Sequence, residues 1–208
     1  MSTRGVLTVI SGFSGAGKGT VMKALMNKYP DYKLSISATT RSPRNGEQDG
    51  KDYFFLTKDK FESMIEDDGF IEWAKYVDNY YGTPREFVES NLSQGKDIIL
   101  EIEMQGALII KEKFPDALLL FITPPDFDEL VKRLVGRGTE DSATINKRIA
   151  RCNEEADVVA KYDYLVINDT VDACVERINE IISNEHFKPK YNEELIKQFS
   201  LKSSNFSI

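Results

Sequence analysis

The stretch Val6-Leu7-Thr8-Val9-Ile10-Ser11-Gly12-Phe13-Ser14-Gly15-Ala16-Gly17-Lys18-Gly19-Thr20 runs from an apolar segment into spaced glycines and a lysine. Val6, Leu7, Val9 and Ile10 suit a buried strand, and Gly12, Gly15 and Gly17 punctuate the chain directly after it. Glycines tolerate positive φ and let successive backbone N–H groups converge on one anion, while a helix starting near Lys18 aims its positive dipole end at the same point. Lys18 adds a mobile full charge. The stretch reads as a strand-to-helix turn built to hold a polyphosphate. Gly12, Gly17 and Lys18 satisfy the spacing GxxxxGK, but the residue after the lysine is Gly19 and the hydroxyl comes one place later, at Thr20. A glycine-rich turn can also be a plain packing device; strand, spacing and lysine together weigh against it.

The rest of the chain fits an enzyme-sized α/β domain. Its 208 residues are enough for a full core with insertions, and a 41% hydrophobic, 29% charged composition is that of a soluble globular protein. The net charge of −7 argues against a nucleic-acid polymer or an acidic membrane as partner, because such footprints need basic excess, whereas one bound nucleotide needs only a local cluster. Four of the nine arginines fall between residues 133 and 151, which is such a cluster. Cys152 and Cys174 lack CxxC spacing, so neither a disulfide framework nor a zinc site is expected. No apolar run approaches the about 18 residues of a membrane span, and a cytoplasmic protein is expected. The sole histidine, His186, sits in a charged C-terminal stretch and leaves no basis for Ser-His-Asp chemistry.

Along the chain, helical spacing after the loop ends at Tyr29-Pro30. Residues 34–83 then change character, with turn pairs Asn45-Gly46 and Asp49-Gly50 and short strand-like pieces, and read as a partly β insert. Beyond it, the pattern predicts helices over 84–91, 106–114, 127–135, to about 160, and 171–182. They alternate with buried strands over 97–103, 117–122 and 162–169. That alternation implies a parallel sheet flanked by helices. From residue 184 a marginal helix around 193–199 and a loose end are expected.

Chemistry-bearing residues stand out against this frame. Arg41 and Arg44, with Tyr53 and Tyr81, offer guanidinium forks and phenol donors for one phosphomonoester, although a solvated surface pair is the plain alternative. Glu72 lies in the apolar run Phe70-Ile71-Glu72-Trp73, where a carboxylate needs a reason to be, although an exposed carboxylate is the plain alternative. Glu101 and Glu103 end a core strand. Ligands gather at the carboxyl ends of parallel strands, so both are expected to line the site at different depths.

Read together, these stretches resemble a nucleoside monophosphate kinase, specifically a guanylate kinase, up to about residue 184. The resemblance is carried by Gly12 to Thr20, Ser37-Ala38-Thr39-Thr40-Arg41-Ser42-Pro43-Arg44-Asn45-Gly46-Glu47, Gly50-Lys51-Asp52-Tyr53 and Phe70 to Ala74. It continues through Asn79-Tyr80-Tyr81-Gly82-Thr83, Glu101 to Gly106 and Gly136-Arg137-Gly138-Thr139-Glu140. Glu103, where the family commonly has Asp, and Phe13, where it often has Pro, depart from the pattern.

The resemblance implies a parallel-sheet P-loop kinase core over 1–34, 84–135 and 149–184, a mixed, partly β GMP-binding insert over 35–83, a short helical lid over 136–148, and a C-terminal extension over 185–208. It implies ATP and Mg²⁺ as cofactors, with the metal held mainly by ATP and water and Thr20 as an optional contact. ATP falls to Gly12, Ser14, Gly15, Ala16, Gly17, Lys18, Gly19, Thr20 and Asn168. GMP falls to Ser37, Arg41, Arg44, Glu47, Tyr53, Glu72, Tyr81, Gly82, Thr83, Glu101 and Glu103. Lys18, Arg41, Arg137 and Arg148 carry transfer, with Arg133 as a weaker lid candidate. Guanine explains Glu72: its N1–H and C2 amino group are donors to a carboxylate, whereas adenine offers an acceptor at N1. The implied reaction is transfer from ATP to GMP, and to dGMP as well. A binding module that has lost catalysis is the alternative; the intact Lys18 loop speaks against it. The oligomeric state is not implied.

Overall fold

The apolar run before the glycines forms β1 (Leu7–Gly12), whose six residues are all buried. In the computed structural model, which describes residues 4–76, 78–136 and 142–204, β1 lies at the centre of a five-stranded sheet. Its neighbours are β7 (Ile98–Glu101) and β8 (Leu118–Thr123), with β2 (Lys33–Leu34) and β9 (Tyr164–Ile167) at the edges, in the order β2-β7-β1-β8-β9. Every pairing is parallel. Continuous apolar strands need cover on both faces. On one face Val21, Met22 and Leu25 of α1 (Lys18–Lys28) and Val175, Ile178 and Ile182 of α7 (Val171–Glu185) pack against Ile10, Leu120, Ile122 and Val166. On the other, Val88 and Leu92 of α3 (Arg85–Ser93) and Ala107 and Ile110 of α4 (Met104–Lys113) pack against Leu7, Val9, Leu100 and Leu119. Each buried aliphatic contributes about 1.5–3 kcal/mol relative to exposure.

The segment expected as a partly β insert builds a second sheet of β3 (Ala38–Thr39), β4 (Phe54–Phe55), β5 (Phe70–Tyr76) and β6 (Asn79–Pro84), in the order β4-β3-β6-β5. Here the β3–β6 and β5–β6 pairs are antiparallel and β3–β4 is parallel. Helix α2 (Lys58–Glu66), capped by the Thr57 hydroxyl, covers it through Phe61, which stacks on Phe70 and Tyr80 at centroid distances of 4.3 and 5.3 Å. The second sheet abuts the first unit where α4 packs on β5.

Three boundaries differ from the sequence reading. The strand expected over 97–103 stops at Glu101, and Glu103 becomes the N-cap of α4, where a carboxylate meets the positive end of the helix dipole. Pro84 closes β6 and caps α3 instead of starting the helix, since its fixed φ of −60° serves an extended residue equally well. The start of the tail is docked, and the helix expected around 193–199 runs on to 204, with the last residues, 205–208, outside the described part. Tyr191 is buried in the β1 core cluster, Lys190 Nζ lies 2.9 Å from Asp116 Oδ1, and α8 (Glu193–Ser204) follows. His186 Nε2 stands 2.9 Å from Asp97 Oδ2, and Asp97 Oδ1 accepts the Val6 N–H.

After α5 (Phe127–Gly136), residues 137–141 fall outside the described part, and α6 (Ser142–Val159) leads into β9. The catalytic candidate Arg137 is among those undescribed residues. Both cysteines are buried free thiols. Among the described residues no helix is long and apolar enough to cross a membrane.

Candidate active site

The turn after β1 is shaped for an anion. Gly17, the N-cap of α1, has φ +88°, and a Cβ there would meet the Asn168 side-chain nitrogen at 2.7 Å, so the position excludes side chains on both conformation and space. Lys18 Nζ donates to the carbonyls of Gly12 and Phe13 at 2.7 and 3.3 Å, which keeps the ammonium folded over the loop. Thr20 and Gly19 are exposed on the first turn of α1.

Two residues far along the chain brace this loop from behind. Asn168, just past β9 and 4% exposed, donates its side-chain N–H to the Ala16 carbonyl at 2.7 Å. Arg133 on α5 reaches the same carbonyl at 3.3 Å and the Asn168 carbonyl at 3.0 Å, and its Nε is held by Glu129 at 2.8 Å. The sequence suggested Asn168 as a nucleotide contact and Arg133 as a lid arginine; in the structure both side chains turn to the loop. Arg148 on α6 approaches the Ser14 hydroxyl at 3.4 Å, which brings one of the transfer candidates to the loop.

Across from the loop, the second sheet gathers the acceptor candidates. Arg41 Nη2 pairs with Glu47 Oε1 at 2.9 Å, while Glu47 Oε2 accepts the Arg44 N–H at 2.7 Å, so Glu47 fixes the turn that carries both arginines. This pairing holds the Glu47 carboxyl below the usual range, the Arg41 hydrogen bond being the main cause. The Arg41 guanidinium lies over the Tyr53 ring at 5.4 Å, and Tyr53 meets Tyr81 edge-on at 6.2 Å. Arg44 is exposed and Ser37 half-buried. On β6, Tyr81, Gly82 and Thr83 follow one another, and the β5–β6 register sets Thr83 opposite Glu72. Thr83 Oγ1 donates to Glu72 Oε1 at 2.7 Å, with Glu72 only 5% exposed. Burial pushes the Glu72 carboxyl above its usual value, opposed by the Thr83 hydroxyl and by the charge of Lys113.

The two halves meet at the carboxyl end of β7. Glu101 is half-buried and raised by burial, with Lys18 pulling it down and Glu103 pushing it up. Glu103 stands in solvent, 3.8 Å from Arg151 Nη2. Glu155 carries no signal in the sequence: on α6 and 5% exposed, it lies 3.9 Å from Arg151 Nε and faces the Ser14 N–H. No cluster of three metal-ligating side chains exists among the described residues. Donors such as the Thr20 hydroxyl, Glu101 and Glu103 suit a cation delivered on a nucleotide's phosphates and completed by water.

The family model described as Guanylate kinase matches residues 4–185. A protein named guanylate kinase from Caldanaerobacter subterraneus subsp. tengcongensis is 55% identical over 92% of this chain and 93% of its own length. Its namesake from Lactiplantibacillus plantarum is 49% identical over 94% and 98%. The crystal structure of guanylate kinase from Anaplasma phagocytophilum superposes with a TM-score of 0.74 at 29% identity, covering 92% of this chain and 91% of that one. On this evidence the chain belongs to the guanylate kinase family.

Proposed function

We propose that the chain moves the γ-phosphoryl group of ATP onto the phosphate of GMP, giving GDP and ADP, with dGMP as a second acceptor. A GMP phosphate oxygen attacks in line, the bond from γ-phosphorus to the bridging oxygen breaks, and no covalent enzyme intermediate forms. The observation that carries the reading is the Glu72–Thr83 pair: a buried, hydroxyl-anchored carboxylate in the acceptor sheet accepts from donors, and guanine is the purine that presents two. Arg41, Arg44, Tyr53 and Tyr81 hold the acceptor's phosphate, with Ser37, Gly82 and Thr83 completing the base pocket and Glu101 and Glu103 at the acceptor's sugar side. The 12–20 loop and Lys18 hold the donor's phosphates, and Arg137 and Arg148 neutralise charge on the transferring group. Mg²⁺ bound to ATP would lower the charge between donor and acceptor oxygens.

In this reading residues 35–83 are the acceptor insert and 136–148 the lid, both closing on the core of 1–34, 84–135 and 149–184 to exclude water, with 185–208 an extension. We place the activity in the cytoplasm, where reducing conditions suit two free buried thiols. A coupled ADP-release assay across GMP, dGMP, AMP, CMP and UMP tests it. GMP leads by a wide margin; AMP turnover above GMP overturns the base assignment, and no turnover with any acceptor overturns the enzyme.

A further inference from the structure

Helix α4 approaches the acceptor sheet directly behind the Glu72 carboxylate. Gly106 is the point of contact: a Cβ built there meets Glu72 Oε2 at 2.8 Å, Glu72 Cδ at 3.2 Å and Ile102 Cδ1 at 3.2 Å. The carboxylate has little room to retreat, because Oε1 is tied to Thr83 and the residue is 5% exposed. Glycine inside a helix lowers helix preference and calls for a compensating reason, and clearance for Oε2 supplies one.

Seven residues on, and so on the same face of α4, stands Lys113. Helical side chains lean toward the helix N-terminus, and Lys113 Nζ donates to the Ile71 carbonyl at 3.2 Å, one residue before Glu72. The polar groups that bear on Glu72 among the described residues are Thr83 from β6 and Lys113 from α4. One helix face thus supplies both the space beside the carboxylate and a positive charge near it.

We propose that α4 is the positioning element of the base-reading carboxylate: Gly106 sets where Glu72 Oε2 lies and Lys113, anchored on the Ile71 carbonyl, sets a positive charge on the same side, so both residues determine guanine selection without touching the nucleotide. The proposal rests on the reading of Glu72 given above. An alanine at 106 displaces the oxygen that Thr83 does not anchor. Guanine offers N1–H and the C2 amino group, whereas hypoxanthine offers N1–H alone, so a displaced carboxylate loses the advantage of the second donor.

The test compares GMP and IMP as acceptors in the wild type, Gly106→Ala, Lys113→Met and Glu72→Gln. For Gly106→Ala, KM for GMP rises about tenfold and the GMP-to-IMP ratio of kcat/KM shrinks by a similar factor, while KM for ATP stays within about twofold. A merely structural role for the glycine would move both substrates together and leave the ratio intact. For Lys113→Met, the acid limb of kcat/KM for GMP moves to higher pH, since the charge opposing burial is gone. If Gly106→Ala does not accumulate as folded protein, Lys113→Met decides, and an unmoved acid limb overturns the proposal. If Glu72→Gln abolishes the GMP preference while Gly106→Ala leaves it intact, the positioning role falls and the base assignment stands. If Glu72→Gln keeps the preference, both fall.

Discussion

The side-chain N–H of Asn168 is hydrogen-bonded to the carbonyl of Ala16 at 2.7 Å, across 152 residues of chain. The bond closes the back of the phosphate loop at the carboxyl end of the sheet. Removing it leaves Ala16 with Arg133 alone, at 3.3 Å. A buried acceptor losing a partner costs about 1–3 kcal/mol, so Asn168→Ala raises KM for ATP about tenfold and leaves KM for GMP within about twofold. Steady-state kinetics with each substrate varied in turn check this; equal rises in both constants would show that the bond supports the fold in general.

Lys18 rests on the carbonyls of Gly12 and Phe13, so its ammonium is held over the loop before any phosphate arrives. Lys18→Met keeps the length of the side chain and removes the charge. Stabilisation of a transferring phosphoryl group by one positioned cation is large, and kcat falls about a thousandfold. GMP affinity measured by calorimetry stays within about threefold, because Lys18 serves the donor side. The opposite pattern, with GMP binding lost and ATP binding kept, means the two nucleotide sites have been assigned the wrong way round.

Burial raises the Glu72 carboxyl above the ordinary 4.5, which couples acidity to stability with a definite sign. Between its unfolded and folded values the folded chain holds a proton that the unfolded chain releases. Its contribution to stability is therefore complete below 4.5 and is lost as pH rises through the higher folded value. Glu72→Gln, neutral throughout, is more stable than the wild type at neutral pH, and the difference shrinks on acidification. GMP affinity runs the other way in the wild type, falling as acid neutralises the acceptor. Thermal melts and calorimetry between about pH 5 and 8 measure the two slopes, and parallel slopes would contradict a base-reading carboxylate.

Tyr191 lies 8% exposed in the cluster beneath α1 and α7, so the turn after α7 contributes a side chain to the core. Tyr191→Ala lowers unfolding free energy by about 3 kcal/mol and leaves kcat unchanged, since the residue sits at the end of the sheet opposite the loop. Denaturant titration with parallel kinetics reads both effects; an unchanged midpoint would mean the tail is held elsewhere.

What the sequence revealed and what it concealed separate along physical lines. The strand, loop and helix around Lys18 were legible because their determinants are local: a β-branched run, glycines at fixed spacing, and apolar residues at helical period. Glu72 was legible as an anomaly, but its partner Thr83 depends on the register of β5 on β6, which shifts between Phe70 and Glu72. The braces Asn168 and Arg133 and the approach of Gly106 arise only when distant segments fold together, and nothing at those positions announces their partners. The tail misled for a related reason. A lone Tyr191 among charges has no periodicity, yet the Asp97, Asp116 and core contacts around it dock residues 186–191.

The two-sheet arrangement also orders events during synthesis. All strands of the acceptor sheet and its covering helix lie within residues 38–84, so that unit can pair as soon as it leaves the ribosome. Strand β1 is made first but must wait for both neighbours; the Val6 N–H finds its Asp97 acceptor 91 residues later, and β8 later still. Local pairing outruns distant parallel pairing. Strand β1, destined for burial along its whole length, therefore spends the longest time without a partner, and the nascent protein is vulnerable to aggregation at the segment that later cradles phosphate.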